Sequence, residues 1–415
     1  MADYHIPRGA TVKLDRIEGE LKVGHHARIE AGIGNLVSVS AGAYFEGAAE
    51  INCNFECDSL RVSSGGVLKI QGDLTVHKLL DVDHSIEVEG SIRAREIDVG
   101  GRISARNLSC LQMRVGGKVE VTEKLEVESL NVGGKVEAPG VVIIRDFDVG
   151  GQAELGSGKI SGTIHVGGKF EAESKLEFGD LRVIGRTSLG AGSKGARIST
   201  NGKFSVSGDF ECDEMEILGK SDIGGNCRSQ KIRVNGMLEV HGFLQSAELL
   251  EINGAVEVDQ NLEATDLRLG GKLEAKRVLA TNQIEISGVA ETDYGMKAKM
   301  VNVHSGSQVE GPIVGEQVDI GRSYAVVMNW EKQWMGQVAA MRLVGRMTQV
   351  QDIYADTVRL GKVSKCGRIN ARLVEIEEGA HAEEIRYSGE LKGNVDQAYI
   401  DKPPTKVDHL PEPPL

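Results

Sequence analysis

Apolar residues along this chain alternate with polar ones in short runs, and the runs recur at a fixed interval. Residues 115–131 read VGGKVEVTEKLEVESLN. They break into Val119-Glu-Val121, Leu125-Glu-Val127 and Leu130-Asn-Val132, each apolar, polar, apolar, the period of two that a strand imposes. Val99, Val115, Val132, Val149 and Val166 each precede Gly-Gly, and the same slot is refilled by Val183, Thr200, Ile217, Val234, Ile252, Leu269, Ile286, Val303 and Ile320. Of the thirteen intervals between these fourteen anchors, eleven are 17 residues and the others are 16 and 18. Three short strands per period leave no room for a helix. The pattern therefore predicts an all-β chain folded as one long three-sided parallel β-helix, in which each coil covers the next.

Aligned coil on coil, the positions after each anchor separate into columns. Val119, Val136, Ala153 and Phe170 form one inward column and Val121, Ala138, Leu155 and Ala172 another. The outward positions give a lysine column (Lys118, Lys135, Lys169) beside a glutamate column (Glu120, Glu137, Glu154, Glu171). Like charges repel along a column, but the opposite column offers diagonal partners, and exposed pairs contribute only about 0–1 kcal/mol each. These ladders read as solvated faces. The corner glycines read as residues needed for positive φ at tight turns.

The spacing allows around 22 coils between Ile17 and Ile400, and divides the chain into an arm (1–11), a β-helix (12–400) and a proline-rich tail (401–415) that is expected to be disordered. The N-terminal coils are looser than the rest. One irregular insert, 321–343, holds both tryptophans, Trp330 and Trp334, at i, i+4 spacing with Met328 and Met335 nearby. They read as rings folded onto the β-helix wall or as a patch for a protein partner.

Composition narrows the function. Aromatic residues are 4% of the chain, Gly numbers 53, and the formal net charge is −13, which argues against a nucleic-acid partner. The first thirty residues lack a basic stretch followed by an apolar run, and no eighteen apolar residues stand together, so the expectation is a cytoplasmic protein. Six cysteines without a disulfide framework agree with a reducing compartment.

Motifs that would carry chemistry fail on context. Gly190-Ala-Gly-Ser-Lys-Gly195 matches a dinucleotide fingerprint, but strand-like Ala196-Arg-Ile-Ser follows where a helix is required. Gly158-Lys159 lacks the hydroxyl residue of a phosphate loop. Neither Cys53…Cys57 nor His25-His26 has further ligands at metal spacing. Carboxylates are spread over nearly every coil and none is singled out, so no catalytic residue, cofactor or metal is expected.

At its repeated V-G-G-K-V-E-V rungs and its proline-containing tail, the sequence resembles the bactofilins, polymer-forming cytoskeletal proteins, over most of 12–400. The resemblance implies a right-handed β-helix that polymerises end to end into nonpolar filaments without nucleotide. The chain departs from the family in its greater length and its tryptophan insert, and it has no evident apolar membrane-targeting peptide. A β-helix ends in an open coil whose polar edge and core face water unless something covers them. The expected self-association surfaces are Ile6, Val12, Leu14 and Ile17 at one end and Ile385, Tyr387, Leu391, Val395, Tyr399 and Ile400 at the other. The alternative is a rigid, non-polymerising scaffold that docks a protein partner through Trp330 and Trp334.

Overall fold

The computed structural model describes residues 3–63, 66–321 and 347–414, with the side chains of residues 143 and 144 excepted. The chain is all-β, a parallel β-helix of about 22 turns with about 17 residues per turn. It divides into two compact units, Met1–Ser207 and Gly208–Leu415.

In the most regular part of the first unit, one coil is one strand. Arg102–Val115, Lys118–Val132, Lys135–Val149 and Gln152–Val166 each run through two corners without leaving the parallel ladder. The corners appear as shifts of register instead of breaks, as between Glu120 and Leu125 on the Lys118–Val132 strand. Three separate strands per coil are the sequence expectation; here pairing to the neighbouring coil carries the backbone through the bends, and only the glycine pair interrupts it. Further along, between Lys169 and Ile252, a coil is two strands, such as Lys220–Ile223 and Cys227–Val234.

Parallel pairing keeps residues in register, so each inward side chain stacks on its counterpart one coil away. In the first unit Val119, Val136, Ala153, Phe170, Thr187 and Phe204 form one such column, all fully buried. A second column runs through Leu130, Phe147, Ile164, Leu181 and Ile198, and the Phe147 and Phe170 rings meet edge to face at 5.8 Å. In the second unit Ser221, Leu238, Val256, Leu273 and Ala290 continue the same device. Burying a valine or leucine side chain in this way contributes roughly 1.5–3 kcal/mol.

The glycine pair at the corner has a different cause from the one expected. None of the paired corner glycines from Gly100-Gly101 to Gly270-Gly271 has positive φ. What matters is how close the next coil lies. A Cβ on the second glycine would meet a backbone oxygen of the preceding coil at 1.8 Å for Gly117, 1.9 Å for Gly134 and 2.0 Å for Gly168, far inside contact distance. At the first glycine the nearest atom is an ordinary 3.5 Å away for Gly116, Gly133 and Gly150. Hence the first slot also accepts Ile184, Asn201, Leu218, Asn235, Asn253 and Ser287, while the slot after each remains glycine.

Candidate assembly surfaces

The expected site residues lie in the two terminal coils, and each coil can be built from its hydrogen bonds. The first coil consists of the strands Tyr4–Ile6, Thr11–Leu14 and Arg16–Ile17. Strand pairing thus begins inside the segment expected to be an arm, because Ile6 has an apolar partner, Val23, in the second coil. The ladder to the second coil uses the Tyr4 N–H and the carbonyls of Ile6, Ala10, Leu14 and Asp15. In a parallel ladder alternate residues turn their peptide groups to opposite sides, so the groups of His5, Lys13 and Arg16 face away from the second coil. Ile6 and Ile17 are buried, whereas Val12 and Leu14 are half-exposed. Beside Leu14, the amide of Gly32 donates to the Leu14 carbonyl at 3.0 Å, and Ile33 follows it at 84% exposure. The sequence reading missed Ile33, which sits in the irregular stretch Ala31–Asn35 where no repeat position identifies it.

At the other terminus Ile385 is completely buried, Tyr387, Leu391, Val395 and Ile400 are half-buried, and Tyr399 is 71% exposed. The chain does not stop pairing at residue 400. Tyr399–Ile400 lies on His381–Ala382, and Thr405–Lys406 lies on Arg386–Tyr387, so part of the tail expected to be disordered is an ordered partial coil. Pro403 and Pro404 fall between these two strands, at a bend where no N–H is needed for the ladder. Met328, Trp330, Trp334 and Met335 lie outside the described residues.

Between the ends, the wall carries the charge ladders. Lys118 Nζ bonds Glu120 and reaches Glu137 at 3.3 Å; Lys135 Nζ bonds Glu137 and reaches Glu154 at 3.2 Å; Arg102 pairs with Glu120. The lysines therefore zigzag between successive glutamates, as the diagonal arrangement expects. The Lys118 ammonium holds the Glu120 carboxyl below its usual range, and Lys135 does the same for Glu137. In the second unit the acidic column persists as Glu239, Glu257, Glu274, Glu291 and Glu310, while Met237, Ala255 and Val289 replace the basic residue on three coils and Lys272 keeps it on one, 3.4 Å from Glu274 and 3.1 Å from Glu291. A shallow groove there is lined by Glu257, Asp259, Glu274, Glu291 and Asp293.

No family model, curated protein or solved structure matches this chain.

Among the described residues no group of three or more His, Cys, Asp or Glu side chains is placed to hold a metal ion, and no helix is long and apolar enough to cross a membrane. All six cysteines are free and buried; burial pushes the Cys110 and Cys212 thiols up to about 12, so they stay protonated and unreactive at neutral pH. After Gly190 the chain turns at Gly192 and enters the strand Ser193–Thr200. Buried Ser193 ties that corner, donating to the Gly190 carbonyl at 2.7 Å and accepting from the Leu176 amide at 3.1 Å. The glycine-rich motif is a widened corner.

Proposed function

We propose that this chain is a structural, non-enzymatic protein that self-associates by stacking its terminal coils without nucleotide, continuing the strand ladder from one copy to the next, antiparallel where two identical ends meet. The observation that carries this reading is the first coil. Its outer peptide groups are turned away from the rest of the β-helix, and Val12, Leu14 and Ile33 present apolar surface beside them. Among the described residues no strand pairs with this edge; such an edge is a template for a further chain, and apolar surface next to it adds a hydrophobic contribution to pairing. Lys13, Asp15, Arg16 and Glu18 give the edge both signs of charge, which lets one copy complement another across a two-fold axis. A reducing cytoplasm suits six protonated, buried thiols.

The test is light scattering after gel filtration, together with negative-stain electron microscopy, on purified protein without nucleotide over a hundred-fold concentration range. Wild type is expected to populate species larger than one chain. The double variant Val12→Asp/Leu14→Asp is expected to run as single chains with an unchanged β-sheet circular dichroism spectrum. Wild-type protein that is a single chain at every concentration, or a double variant that associates as wild type does, would refute the proposal.

A further inference from the structure

The C-terminal residues do something that the stacking reading does not require. Cys366, Ala382 and Ile400 stand in register on successive coils, so Ile400 closes an inward column. The Tyr399 amide donates to the Ala380 carbonyl at 2.8 Å, Asp401 to Ala382 at 3.1 Å, Lys402 to Glu383 at 3.2 Å and Val407 to Tyr387 at 2.9 Å. Two side-chain contacts hold the same segment: His381 Nε2 to Asp401 Oδ1 at 3.1 Å and Lys402 Nζ to Glu384 Oε2 at 3.3 Å. Beneath it Ala380, Ala382 and Ile385 are at most 1% exposed. Register places Pro404, one residue before Thr405, over Ile385.

This partial coil offers a poor template in its turn. Its strands are two residues each, Tyr399–Ile400 and Thr405–Lys406. Pro403 and Pro404 separate them, and Pro411, Pro413 and Pro414 follow; none of these five has an N–H to donate to a further coil. Short strands, prolines and lysines are the devices by which proteins blunt a sheet edge.

We propose that the segment from Asn394 to Leu410 is an intramolecular cap, which occupies the end surface formed by Ala380–Gly393 and bars it from stacking on a second copy. The inference rests on the stacking reading and adds its regulation. With the cap seated, the first coil is the open end among the described residues, and pairing of two identical edges across a two-fold axis closes at two chains. With the cap displaced, the strand His381–Gly393 becomes a second open edge, and the ladder can continue from copy to copy.

The experiment uses full-length protein in three forms. Wild type is expected to have a mass no larger than twice the 44.6 kDa of one chain. In Ile400→Asp/Lys402→Glu, a carboxylate replaces the apolar closure over Ala382 and a second one faces Glu384. Its weight-average mass at equal concentration is expected to rise at least about two-fold, since each copy then has two pairing ends. Cys366→Ala/Ala382→Cys/Ile400→Cys, in which positions 382 and 400 are paired neighbours in the ladder and the competing thiol of the coil beneath is removed, locks the cap when oxidised and is expected to keep the wild-type mass. Wild type that already forms long filaments, or a released variant with the wild-type mass, would overturn the cap. In either case Val12→Asp/Leu14→Asp reports separately on stacking itself. Should the released variant lose its fold, hydrogen exchange on wild type decides: slow amides at Tyr399, Asp401 and Val407 support a seated cap, and free-peptide rates there overturn it.

Discussion

An interior corner and the first coil are built from the same parallel ladder, yet opposite constraints govern them. At the Gly133-Gly134 corner the coil beneath lies so close that one position tolerates no side chain, and one residue away there is ordinary space. At the first coil the ladder is satisfied on one side only, and Val12 and Leu14 remain half-exposed. The repeat in the sequence is thus a record of neighbours. Where successive coils press on one another through such a corner the pattern is strict, and where the chain leaves that contact, as at the first coil and in the stretch Ala31–Asn35 of the second, the pattern loosens.

The strongest way to test that contrast is at the corner itself. Gly134→Ala would push a methyl into the Gly117 carbonyl, 1.9 Å from the ideal Cβ, and the obstacle is backbone that cannot rotate away. Overpacking of this kind is expected to destabilise the first unit by about 3 kcal/mol, the upper end of its usual cost. Gly133→Ala meets nothing closer than 3.5 Å and needs no positive φ, so it is expected to be neutral or to stabilise by up to about 1 kcal/mol, because alanine restricts the unfolded chain. Urea unfolding of the two variants side by side checks this. Equal losses would mean that turn conformation, and not the approach of the next coil, selects both glycines.

Core truncations carry the comparison to the ends. Val136, fully buried between Val119 and Ala153, is expected to cost about 2 kcal/mol or more when cut to alanine. Val12→Ala in the first coil is expected to cost under about 1 kcal/mol when the protein is dilute enough to be a single chain, since half of that side chain already meets solvent. If stacking covers the first coil, the cost of Val12→Ala should grow with protein concentration while that of Val136→Ala stays constant. Parallel slopes for the two would argue that no second copy reaches Val12.

Much of the fold is legible in the sequence because a 17-residue period with two apolar positions per side admits few alternatives to a β-helix. The columns Val119, Val136, Ala153, Phe170 are both readable and real. The function of the glycines was not readable, since a positive-φ turn and a close approach select the same residue; only the tolerance of the first slot for Ile184, Asn201 and Leu218 hints at the difference. Proline misled at the tail, where the ring's missing N–H reads as an end to pairing although Pro403 and Pro404 merely separate two paired strands. A signal was available there, for Cys366, Ala382 and Ile400 are spaced by 16 and 18 residues and so continue the period. Ile33 carried no such signal, because it stands in a stretch without repeat positions.

The smallest expected effect concerns a side chain that an interior wall can hold from two sides and the first coil cannot. His241 lies between two carboxylates of neighbouring coils, with Nδ1 3.0 Å from Asp259 Oδ2 and Nε2 3.5 Å from Asp222 Oδ1. The hydrogen bond to Asp259, reinforced by the negative charges of Asp259, Asp222 and Glu239, raises its pKa above the ordinary 6.5. A raised folded-state pKa means that the folded protein favours the imidazolium. The stabilisation is therefore fully present below about 6.5, the unfolded value, and disappears as pH rises through the higher folded value. Because His241 is half-exposed the gain is expected to stay below about 1 kcal/mol and to shrink with added salt. Urea midpoints of wild type and His241→Asn at low ionic strength should converge as pH is raised from about 6 to about 8.5. A gap that widens with pH would mean that the neutral ring, and not the cation, is the form this wall holds.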